Sequence, residues 1–116
     1  MRTPLSLLVA TAALHGLACA GTPIQLQLAP GKADEACMTL RAGDTLSWRF
    51  EADAAVAFNV HHHVGQEVLM PVDVKDARTH AGSVVADRAN DWCLMWTAPK
   101  DRAARIQGEW SSRAKP

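Results

Sequence analysis

Apolar residues recur at every second position through much of this chain. Ile24, Leu26 and Leu28 alternate with Gln25 and Gln27 until Pro30-Gly31 breaks the run. Leu46, Trp48 and Phe50 alternate with Ser47, Arg49 and Glu51, and Trp92, Leu94 and Trp96 alternate again. Val56, Phe58, Val60 and Val64 share one parity, and Ile106, Gly108 and Trp110 form a candidate last strand. A period of two is the mark of a strand with one buried face, because successive side chains point to opposite sides. Cys37 to Leu40 and Val68 to Val72 add two further short runs, separated from their neighbours by Gly, Pro and charged residues. Many short strands spaced by turn residues predict an all-β fold, a small antiparallel β-sandwich. Only Asp101 to Arg105 reads as a helical turn, and 116 residues are enough for one domain.

The first twenty residues have a different character. MRTPLSLLVATAALHGLACA carries one basic residue, Arg2, then an apolar run from Leu5 to Leu14, then small residues. Ala18-Cys19-Ala20 fits the small-x-small pattern of a signal-peptidase site. The run is shorter than the ~20 residues a bilayer span needs. The expectation is a signal peptide over residues 1–20 and a single domain over 21–116, exported to the periplasm or secreted. Gly16-Leu17-Ala18-Cys19 also resembles a bacterial lipoprotein box, though Gly16 stands where Leu is usual.

Export places the two remaining cysteines, Cys37 and Cys93, in an oxidising compartment, where one pairing is open to them. A Cys37–Cys93 disulfide is therefore expected, closing a loop long enough to stabilise the domain by about 4 kcal/mol on the chain-entropy view. Twelve Lys and Arg face twelve Asp and Glu, and removal of Arg2 would leave eleven basic side chains. So even a balance gives no electrostatic footprint for nucleic acid or for an anionic membrane.

Three segments together are similar to a known family. They are Leu40-x-x-Gly43-Asp44-x-Leu46-x-Trp48-x-Phe50-Glu51-Ala52, then Val56-Ala57-Phe58-Asn59-Val60-His61, then Asp91-Trp92-Cys93-Leu94-Met95-Trp96-Thr97. Their order resembles the GOLD domain, the jelly-roll-like lumenal β-sandwich of p24 cargo receptors and of some lipid-transfer proteins. Cys37 and Cys93 stand where that family places its disulfide, and the likeness runs over residues 35 to 111. The chain has no p24 coiled coil, transmembrane helix or cytoplasmic tail, so cargo sorting does not carry over. What the resemblance implies is a free-standing exported β-sandwich that binds something and carries no catalytic machinery.

The chemistry concentrates in His61-His62-His63. If Val56, Phe58 and Val60 face the core, His62 does too, whereas Asn59, His61 and His63 face the other way. Imidazoles two residues apart on a strand are about 6–7 Å apart along it, close enough to share one metal ion. His61 and His63, with Glu67 and Met70 next, form the expected metal set; His80, Met95 and Met38 are further candidates. Imidazole with thioether in an exported protein favours copper ahead of zinc. The competing expectation is a protein- or envelope-interaction module whose histidines are structural or pH-sensing.

A third reading is enzymatic: His61-x-His63-x-x-x-Glu67 resembles half of the cupin metal motif, but Ala55 replaces its Gly and the second half is absent. No Gly-x-Ser-x-Gly elbow, CxxC pair or Gly-rich phosphate loop occurs either. Trp48, Trp92 and Trp96 read as core, and Trp110 as the most exposed of the four tryptophans.

Overall fold

A computed structural model describes residues 21–116; the predicted export signal and Cys19 lie outside them. Six strands make up the domain: β1 (Thr22–Leu28), β2 (Ala33–Leu40), β3 (Thr45–Val64), β4 (Glu67–Val85), β5 (Asn90–Thr97) and β6 (Ala104–Arg113). They form one antiparallel sheet in the order β1-β6-β3-β5-β2, with β4 on the remaining edge of β3.

The framework is the long β3–β4 hairpin. Its loop is two residues, since Val64 pairs with Glu67, and Gly65 opens it at φ 60°. A positive φ at the first loop position suits the twist of a hairpin and is cheap only for glycine. Along its first half, Thr45–Ala52, β3 pairs with β6; along its second, Ala57–His62, it pairs with β5. Between them the register to β4 breaks, Glu51 lying opposite Thr79 and Val56 opposite Ala77. The extra residues of β3 at this break bend the strand, as bulges do.

The bend folds the sheet on itself, so that the two halves close on one core. Phe50, from the first half, meets Phe58 and Trp96 of the second at ring-centroid distances of 4.9 and 5.8 Å. Trp48 meets Phe58 at 5.6 Å. Leu40, Leu46, Val56, Val60, Trp92, Leu94 and Ile106 are fully buried with them. The alternation in the sequence thus reports this interior directly. Gly108 lies opposite Phe50, and a Cβ there would stand 2.0 Å from the Arg49 carbonyl oxygen, so the close approach of β6 to β3 requires glycine.

Two expectations need correction. The helical turn at Asp101–Arg105 is a short turn after which β6 starts at Ala104. The run Val68–Val72 is only the beginning of the 19-residue β4. An edge strand that is exposed along most of its length carries little hydrophobic periodicity to read. Trp110 is, as expected, the least buried of the four tryptophans, half-buried against the edge of the core beside Trp48 in the ladder.

Candidate functional site

The outer face of the second half-sheet carries the site, and the register assembles it. Cys37 pairs with Cys93, and Cys93 with His61, so these three form one row across β2, β5 and β3. Glu35, Met95 and Asn59 form the next row. All lie at odd positions, opposite in parity to the buried Phe58, Val60, Leu94 and Trp96.

Cys37 and Cys93 are joined, at an S–S distance of 2.03 Å, as expected. His61 faces away from the core, yet it is only 5 % exposed. Both of its nitrogens have neighbours. Nδ1 is 2.7 Å from Asn59 Oδ1, and Nε2 is 3.4 Å from Glu35 Oε2. An amide oxygen accepts only, so Nδ1 carries the proton of the neutral ring and Nε2 keeps its lone pair. The His63 ring is exposed and stands edge-on to that of His61, with centroids 5.4 Å apart.

His62 is a core residue, as its parity predicts. It is 3 % exposed and stacks on Trp92 at 3.9 Å between ring centroids. Asn90 Nδ2 sits 3.3 Å from its Nδ1 and donates at 2.7 Å to the His63 carbonyl oxygen, pinning the end of β3 to β5.

The rest of the predicted set does not gather. Glu67 pairs with Val64, and partners in a ladder share a face, so it projects to the His62 side, away from His61 and His63. Met70, 49 % exposed, lies in the register break between Leu69 opposite His62 and Val72 opposite Val60. His80 is on the core side, accepting a 3.0 Å hydrogen bond from Trp48 Nε1, and Met38 pairs with the inward Trp92. The cupin-like arrangement needs His61, His63 and Glu67 around one interior cavity, and this register separates them. A large open groove lies elsewhere, along the outer face of the first half-sheet, lined by Arg49, Glu51, Thr79 and Gln107.

Sequence reading missed Glu35. It sits 26 positions before His61 and reaches it only because β5 lies between their strands. A signal existed: if Cys37 is bonded to Cys93, residues two before and after each cysteine share its face.

Burial holds the His61 imidazole below its ordinary pKa of 6.5; the Glu35 charge opposes this, and His63 and His62 reinforce it. The unfolded chain therefore takes up the proton first as pH falls. The stabilising contribution is complete above 6.5 and is lost as pH falls from there through the folded-state value. Urea midpoints between about pH 8 and pH 5, taken with chelator present, should fall more steeply for the wild type than for His61→Gln. Parallel curves would refute this account.

The fold and site define a class: an all-β, disulfide-linked sandwich with a polar cluster on one outer face. No family model and no curated protein matches the sequence, so the GOLD resemblance rests on its motifs alone. Among solved structures, the fold is similar to PliG of Aeromonas hydrophila, a periplasmic lysozyme inhibitor of g-type lysozyme. The TM-score is 0.59 at 9 % identity, over 81 % of this chain and 87 % of that one. At that identity the fold is what is shared.

Proposed function

We propose that the protein is a periplasmic, non-catalytic protein-binding module of the inhibitor type, whose partner is a lysozyme-class enzyme acting on the cell wall. The observation that carries this reading is the exposed apolar pair Val68 and Met70, 47 % and 49 % exposed, beside the β3–β4 loop. Large apolar side chains presented at one end of a well-ordered sheet are what a protein partner covers. Among the described residues the edge of β4 on which they stand has no partner strand, and Pro71 beside them limits strand-to-strand aggregation. The fold shared with a periplasmic inhibitor supports the partner class, and the disulfide suits an oxidising compartment.

The test is inhibition and direct binding, with the exported chain titrated against a g-type lysozyme and against lysozymes of other classes. Inhibition of at least one class is expected. Val68→Asp/Met70→Asp should weaken it by about 30-fold or more, the effect of losing ~2 kcal/mol at an interface anchor. Its urea midpoint should stay close to that of the wild type, since both residues are half exposed. Absence of binding to every class, or unchanged binding by the double variant, would remove the support for this reading.

A further inference from the structure

We propose that Glu35 and His61 form the nucleus of a divalent transition-metal site, completed by His63 and water, with Asn59 as a positioning residue. His63 is the ladder partner of Val68, so the site borders the proposed protein-binding surface, but its assignment does not depend on that reading.

Three features of the geometry carry the assignment. Asn59 Oδ1 accepts from Nδ1–H of His61 at 2.7 Å, which leaves the Nε2 lone pair directed at the Glu35 carboxylate. A second partner that fixes the tautomer in this way is the usual support of a metal-ligating histidine. Next, the facing atoms, a bare imidazole nitrogen and a carboxylate oxygen, are both acceptors and repel unless a cation lies between them. Their separation is 3.4 Å. Ligands at about 2.0–2.1 Å (nitrogen) and 2.0–2.2 Å (oxygen) from one tetrahedral ion are themselves about 3.3–3.5 Å apart. The pair is spaced as two corners of such a site.

Last, His63 lies beside the pair, its nitrogens outside the group that Glu35, His61 and Cys93 form within 4.8 Å. Two imidazoles on one tetrahedral ion have centroids about 5.2 Å apart, and the His61 and His63 centroids are 5.4 Å apart. His63 is exposed, so rotation of its side chain can turn a nitrogen inward. Cys93 Sγ is within 4.8 Å of the Glu35 and His61 ligand atoms, but in the disulfide it supplies no thiolate. Imidazole and carboxylate without thiolate suit Zn(II) or Cu(II) better than Cu(I). Glu35 thereby takes the place that the sequence suggested for Glu67.

The experiment is calorimetric titration of Zn(II), Cu(II) and Cu(I) into the tag-free exported chain. One equivalent of Zn(II) or Cu(II) should bind. Glu35→Gln should weaken binding at least about 10-fold, and Asn59→Ala by about 10–100-fold, the range for lost support of a ligand. Glu67→Gln, on the opposite face, should leave it unchanged. Nitrogen-15 shifts of the His61 ring should report Nδ1–H in the free wild type and a shifted Nε2 on adding Zn(II). The Asn59→Ala variant should lose the fixed tautomer and bind Zn(II) more weakly while its urea midpoint stays near that of the wild type, a combination that a merely structural role would not predict.

His61→Gln should abolish binding; because His61 is buried, Glu35→Gln, at a half-exposed side chain, decides the matter if that variant does not fold. No saturable binding by the wild type, unchanged affinity in Glu35→Gln, or loss in Glu67→Gln would overturn the proposal. None of these readouts involves a lysozyme, so failure here leaves the inhibitor reading standing, and the reverse.

Discussion

Phe58→Ala is expected to destabilise the folded chain by about 3–5 kcal/mol, the range for deleting a buried aromatic ring. Phe58 is fully buried at the point where the folded sheet closes on itself. It meets Trp48 and Phe50 of the first half-sheet at 5.6 and 4.9 Å, and Trp96 of the second at 5.6 Å. His80 lies 5.5 Å from it. Four rings from three strands converge on this side chain, and strands paired through hydrogen bonds cannot slide together to fill the void. The expected loss is thus a large part of the 5–15 kcal/mol that holds a typical domain folded. Urea denaturation should show a much lower midpoint with a similar slope. A loss under about 1 kcal/mol would mean that the halves collapse around the gap, and that the bend between Glu51 and Val56 is softer than the ladder suggests.

Legibility in the sequence followed the same boundary between inward and outward faces. Wherever one face of a strand is buried, as in Leu46-Trp48-Phe50 or Trp92-Leu94-Trp96, period two is visible and the core assignment holds. Even His62 is placed correctly, because its parity is that of Phe58 and Val60. Most of β4 was not legible, since this edge strand buries little and its apolar residues do not alternate regularly with its polar ones. The outer-face cluster was half legible. Asn59, His61 and His63 could be put on one face from parity alone. The burial of His61 could not, because one of the side chains against it, Glu35, comes from two strands away. Glu67, near in sequence, went to the wrong face through the two-residue hairpin loop, while Glu35 arrived through the Cys37–Cys93 register. Sequence distance is a poor guide to lateral neighbours in a sheet.

That register is also where the second large effect is expected. Replacing Cys37 and Cys93 together by alanine should destabilise the protein by about 4 kcal/mol, from the loop-closure entropy of a 56-residue separation. The residues are direct partners in the β2–β5 ladder, so hydrogen bonds on either side keep the strands aligned without the bond. The folded state then changes little, and the effect falls mainly on the unfolded chain, which gains freedom. Two signatures separate this from local disruption. The urea slope should rise, because an uncrosslinked chain exposes more surface on unfolding. The His61 ring resonances should stay near their wild-type positions, because Asn59 and Glu35 are held by the ladder. If the slope is unchanged and the His61 environment is lost, the disulfide acts instead as the local clamp of the outer face. Glu35 would then reach His61 only while the sulfurs are joined.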